Sequence, residues 1–111
     1  MRGDRLVHVV GAGGHAKVVI ATLRCAGFEV EAAWDDMEAR HGTAVLGVPV
    51  LGTVDAVPRS ARVVIAVGSN PARRDLAARL QGREFVSVVH PAAVVHTSVE
   101  IAPGAVVFAG A

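Results

Sequence analysis

Three short polar clusters carry the residue types that can do chemistry in this chain. The first is Gly11-Ala12-Gly13-Gly14-His15-Ala16, which follows an apolar run from Leu6 to Val10 and precedes a stretch with helical spacing. Glycines let backbone amides approach a ligand closely. A helix N-terminus adds N–H donors and the positive end of the helix dipole, so the chemistry expected there is phosphate binding. Gly11-x-Gly13-x-x-Ala16 also satisfies the dinucleotide-binding fingerprint in its literal form. His15 stands at the mouth of this turn, as a ligand contact or as a cap on the helix. Lys17, the only lysine, adds charge in the first turn. The plainer alternative is a glycine turn kept only for tight strand–helix packing.

The second cluster is Asp35-Asp36, about twenty residues further on, where an acid accepts hydrogen bonds from ribose hydroxyls or from base N–H groups. Two adjacent acids can equally solvate a loop or cap a helix, and spacing does not choose between them. The third cluster is Gly68-Ser69-Asn70, with Arg73 and Arg74 just beyond. Arg73 either meets a phosphate bidentately or braces the turn, and Arg74 reads as solvent-exposed. His8 reads as a satisfied buried histidine, and His41, His90 and His96 show no metal-ligand spacing with an acid. Ser69, Ser87 and Ser98 lie in no nucleophile elbow. No pair of residues reads as catalytic, and no metal is expected.

The elements that must hold these clusters are short and built from small side chains. Of 111 residues, 22 are Val and 20 are Ala, while aromatics make up 4%. Such a core suits parallel strands packed on helices. Leu6–Val10, Phe28–Trp34, Arg62–Val67 and Phe85–Val89 read as strands. Ala16–Ala26 and Pro71–Leu80 read as helices, closed by Gly27 and Gly82. Met37–Gly42 reads as a loop and Val45–Leu51 as an irregular extended piece, because Gly47 and Pro49 interrupt it. Thr53–Val57 reads as a helical turn with Thr53 as its cap. Strand–helix–strand order predicts right-handed βαβ units and an α/β fold, a small Rossmann-like parallel sheet with flanking helices. Parallel strands would then carry all three clusters to one edge.

After His90-Pro91 the pattern changes. Val95, Ile101 and Val107 recur every six residues, as do Ala93, Val99, Ala105 and Ala111. A six-residue apolar period belongs to a hexapeptide β-helix, in which three hexads complete one coil. The expected organisation is therefore a Rossmann-like domain over 1–89, followed by the first, incomplete coil of a left-handed β-helix over 90–111. One incomplete coil is not expected to be stable alone.

A net charge of +1, with both signs dispersed, argues against nucleic acid as a partner. No apolar run approaches a membrane span. A single cysteine, Cys25, excludes an internal disulfide and a cysteine-based zinc cluster, and fits a cytoplasmic setting.

Taken in order, Val9–Lys17, Trp34-Asp35-Asp36, Ile65–Arg73 and the junction Val88–Ala93 resemble the N-terminal half of the sialic-acid O-acetyltransferase-like sugar acyltransferases. That family includes the bacillosamine- and perosamine-type enzymes that N-acetylate UDP- or GDP-linked 4-amino-sugars. The resemblance covers essentially the whole chain. It implies that Gly11, Gly13, Gly14 and His15 lie near the phosphates and sugar, that Asp35 and Asp36 serve the nucleoside end, and that Gly68, Asn70 and Arg73 form the third contact. Ala16 replaces a glycine often seen in the family, and Ser69 stands where an asparagine is common.

The resemblance further implies a nucleotide-linked sugar as partner, acetyl-CoA as co-substrate of a longer parent enzyme, and a homotrimer built by later coils. The family's catalytic histidine and acetyl-CoA site lie in those later coils, so this chain alone is expected to be inactive. Two other readings stand beside it: an NAD(P)-binding module of an oxidoreductase, and a non-catalytic nucleotide-sugar-binding module.

Overall fold

The computed structural model describes residues 5–86 and the backbone of Val88–Val89 and Val106–Val107. Strand β1 (Leu6–Val10) lies between β2 (Glu29–Trp34) and β5 (Arg62–Ile65), parallel to both. Beyond β2 lie β4 (Val48–Gly52), parallel to it, and then β3 (Ala44–Val45), antiparallel to β4. Beyond β5 lies β6 (Glu84–Phe85), also parallel. The six-stranded order is therefore β3-β4-β2-β1-β5-β6. The expected α/β fold with a small, mainly parallel Rossmann-like sheet is the fold observed.

Strand alternation sorts the apolar residues onto two faces. Val7, Val9 and Val64 pack with Val19, Ile20 and Leu23 of α1 (Gly14–Cys25). Val10, Val63 and Ile65 pack with Leu80 and with Leu76 and Ala77 of α2 (Asn70–Arg79). One helix thus covers each face, and β1, with Val7, Val9 and Val10 fully buried, runs through the middle. Helix α2 opens at Asn70, one residue before the expected Pro71, with Ser69 as N-cap accepting from the Ala72 N–H at 3.5 Å.

Val45–Leu51 is more regular than expected. It is a hairpin whose two turn residues, Leu46 (φ 49°) and Gly47 (φ 81°), both adopt positive φ. Two-residue hairpins with this geometry match the twist of the strands they join. The Leu46 carbonyl accepts from Arg24 Nη2 at 2.8 Å, which ties the hairpin to α1.

The expected strand Phe85–Val89 is two strands. The Val86 N–H donates to the Val63 carbonyl at 3.0 Å, the last rung on β5. Then β7 (Val88–Val89) pairs instead with β8 (Val106–Val107), in parallel, with Val88 opposite Val106. The offset is 106 − 88 = 18 residues. Of the hexad positions only Val107 falls among the described residues; the others lie outside them.

Gly11 (φ 112°) occupies a position where an added Cβ would sit 2.8 Å from the Ala66 carbonyl oxygen, whereas one at Gly14 would meet nothing within 4 Å. Gly11→Ala is expected to cost about 2–4 kcal/mol in urea unfolding, from strain and backbone overlap together, with Gly14→Ala close to neutral. Equal stabilities of the two variants would refute this. Leu46→Asn is expected to raise the unfolding free energy in the same urea titration by about 0.5–1 kcal/mol, because asparagine tolerates left-handed backbone that leucine resists.

Candidate functional site

The three clusters follow the carboxyl ends of β1, β2 and β5; Gly11, Asp35 and Asp36 line one cleft there, and Gly68, Ser69 and Asn70 do not. The Gly11 N–H donates to the Trp34 carbonyl at 2.6 Å, which joins the first turn to the end of β2. The Ala66 N–H donates to the Val10 carbonyl at 2.8 Å, which joins β1 to the end of β5. Between them opens a cleft of about 140 Å³, lined by Val10, Gly11, Asp35, Asp36, Val54, Val67 and Leu76. It lies where strand order reverses around β1, the place at which open α/β sheets bind ligands. Its volume suits a base or part of a ligand, and an extended ligand would continue over the exposed rim.

Asp35 and Asp36, equivalent in the sequence, are held differently. Asp35 Oδ2 accepts from the Ala12 N–H and from Arg40 Nη1, and Oδ1 accepts from the Met37 N–H, all at 2.8 Å. Burial pushes the Asp35 carboxyl up, but the two backbone donors and the Arg40 guanidinium outweigh it, so the group titrates below its ordinary value. Asp36 is more exposed, and Arg79 of α2 grips it at 2.6 Å and 3.3 Å. Asp36 Oδ1 also accepts from the Val54 N–H at 3.1 Å, opening the short helix Val54–Ala56. The cap on that turn therefore comes from Asp36; no side-chain bond from Thr53 makes it. Both carboxylates line the cleft, and among the described residues each takes three hydrogen bonds, fewer than the four or so acceptor positions of a carboxylate.

Helix α1 begins at Gly14 with Gly13 as N-cap and no side-chain cap bond. His15, half-buried, is its second residue. Gly68 and Asn70 are exposed at the end of β5. Arg73 Nη1 donates to the Ile65 carbonyl at 3.1 Å and the Val67 carbonyl at 3.4 Å, so it braces the third turn.

Two arginines at the site carry no sequence motif. Arg79 reaches Asp36 from 43 positions away, a contact only the fold creates. Arg40 lies in a 3₁₀ turn, Glu38–Arg40, within the segment read as a loop, and its guanidinium nitrogens stand 3.4 Å from where a Gly13 Cβ would be. A basic residue five positions after a strand-end acid was the available signal.

A second cleft of about 340 Å³ opens near the amino ends of the strands, beside His8, Glu31 and Arg62. Its ionisable groups are engaged. His8 Nδ1 accepts from Trp34 Nε1 at 3.0 Å, which leaves the ring proton on Nε2, 3.1 Å from Glu31. Arg62 pairs with Glu84 at 2.5 Å. His8 is thus the satisfied buried histidine the sequence suggests. Among the described residues no group of His, Cys, Asp and Glu is placed to hold a metal, and no helix is long and apolar enough to cross a membrane.

Arg79, by hydrogen-bonding Asp36, and the Val54 N–H hold the Asp36 carboxyl below its ordinary value of 3.8. A depressed carboxylate contributes stability that is complete above the unfolded-state value and is lost as pH falls through the folded-state value. Thermal unfolding of Asp36→Asn is therefore expected to be lower than wild type at pH 7 and to fall less steeply from pH 5 to pH 3. Parallel curves for the two proteins would refute the linkage.

The same architecture occurs in solved acetyltransferases. A variant of perosamine N-acetyltransferase from Caulobacter crescentus, in complex with CoA and GDP-perosamine, superposes with a TM-score of 0.82 at 39% identity, over 94% of this chain and 51% of that one. The acetyltransferase domain of PglB from Neisseria gonorrhoeae, in complex with acetyl coenzyme A, gives 0.80 at 34% identity, over 95% and 53%. This chain therefore spans about half the length of those proteins. No curated protein sequence matches it. Residues 7–80 match the model of the PglD N-terminal domain, and the chain belongs to that family.

Proposed function

We propose that this chain binds a nucleotide-linked sugar, as the acceptor-holding part of an acetyl-CoA-dependent sugar acetyltransferase. The observation that carries the reading is that Gly11, the first glycine of the turn, and two carboxylates line one cleft at the carboxyl rim, with α1 opening three residues after Gly11. A family relative 39% identical to this chain is solved with CoA and GDP-perosamine together. In this reading Gly11, Gly13, Gly14 and His15 receive the diphosphate and sugar. Asp35 and Asp36 accept from base or ribose donors through their remaining lone pairs. Gly68 and Asn70 close the rim, and Arg73 keeps their turn in place.

The reaction would be attack by a sugar amine or hydroxyl on the acetyl thioester. The new N–C or O–C bond replaces the S–C bond, and the proton lost by the acceptor ends on the CoA thiol. The acetyl-CoA site is assigned outside this chain. Val88 opposite Val106 is an offset of three hexads, which supports a β-helix coil after the Rossmann-like domain, with Val88–Val89 already part of it and so slightly ahead of the expected start at residue 90. Trimeric assembly through such coils and a cytoplasmic location complete the proposal. An exposed free thiol, Cys25, suits a reducing compartment.

Titration with a UDP- or GDP-linked 4-amino-sugar is expected to raise the melting temperature by several degrees at saturation, with NADH giving no shift. Stabilisation by NADH alone would replace this reading with a dinucleotide-binding one.

A further inference from the structure

We propose that Arg40 binds the diphosphate of the nucleotide sugar, an assignment that rests on the nucleotide-sugar reading above. The difficulty it answers is electrostatic. The Asp35 carboxylate already takes the Ala12 N–H of the glycine turn at 2.8 Å. A diphosphate seated on that turn would face this negative charge at close range, where repulsion between like charges is strong. A cation in contact with both the carboxylate and the turn is needed.

Arg40 meets that description. Nη1 is 2.8 Å from Asp35 Oδ2, and both terminal nitrogens lie at van der Waals distance from the Gly13 Cβ position. Its side chain is 37% exposed, so the guanidinium borders solvent at the place the phosphates would enter. An arginine has five N–H donors in a planar fork that suits phosphate oxygens. Asp35 is its hydrogen-bonding partner among the described residues. The other arginines of the rim are differently engaged: Arg73 donates to the Ile65 and Val67 carbonyls, and Arg79 to Asp36 and Asp55. Arg40 closes the short Glu38–Arg40 turn, so its backbone is already ordered.

The test compares Arg40→Gln and Arg40→Lys with wild type, each titrated with UDP, GDP and the free nucleosides by ligand-observed NMR, which reads millimolar affinities. For the better-bound diphosphate, Arg40→Gln is expected to weaken binding about tenfold or more, while the nucleoside changes less than about twofold. Arg40→Lys keeps the charge but loses the fork, and is expected to recover part of the diphosphate affinity. Should Arg40→Gln fail to fold, a loss of about threefold or more in Arg40→Lys, confined to the diphosphate, supports the assignment. Equal losses for nucleoside and diphosphate would make Arg40 a support for Asp35 only and overturn the proposal, as would no loss at all. A wild-type chain that binds neither UDP nor GDP overturns the nucleotide-sugar reading itself, and this assignment with it.

Discussion

The close approach of β1 and β5 at Gly11 is the constraint on which the site depends. Parallel neighbours carry their last residues to the same edge, but side chains normally keep the loops that follow apart. At Gly11 there is none, and the Ala66 carbonyl occupies the space a Cβ would need. The chain then turns with φ at 112°, and its N–H reaches the Trp34 carbonyl. One residue therefore fixes the ends of β1, β2 and β5 relative to one another. The cleft, the N-terminus of α1 and the carboxylates after Trp34 inherit their positions from that junction.

The composition of the core serves the same end. Valine and alanine fill both faces of the sheet, so the helices sit close and the strand ends converge. Trp34 is the exception. It ends β2 directly before Asp35, its ring packs over Gly52, and its indole N–H is satisfied by His8 on β1. A buried indole without that acceptor would carry an unmet donor, so His8 is retained in an apolar strand for a structural reason. Glu31 in turn faces the opposite nitrogen of the ring and holds the tautomer.

Much of this was legible in the chain. Glycine after a β-branched run, helical spacing after the glycine and acids after the next strand led from Leu6–Asp36 to a βαβ unit, because each signal is local. The parallel sense of the strands around β1 followed from connection rules, while their order came only with the fold. Less accessible was whatever depends on contacts across the fold. The turn at Leu46-Gly47 pairs a leucine with positive φ, a choice that propensity disfavours and tertiary contacts with Arg24 sustain. Phe85–Val89 is apolar except for Ser87, and a single serine in a strand does not mark the point where the chain exchanges β5 for β8 as partner. Arg40 and Arg79 belong to no motif, and only the fold brings them to Asp35 and Asp36.

The two aspartates show most plainly why residue type alone does not assign a role. They are adjacent, chemically identical and both at the end of β2, yet alternation along an extended chain sends them in different directions. Asp35 turns toward the glycine loop, where a backbone donor and Arg40 make it part of the first turn. Asp36 turns toward α2, where Arg79 makes it a clasp between the two halves of the sheet. Each acid thus ties β2 to a different neighbour, and the cleft is the space left between the two ties. A ligand entering it meets carboxylates already ionised and already oriented. Much of the entropy of ordering those side chains has been spent in folding, which is the physical basis of a preorganised site.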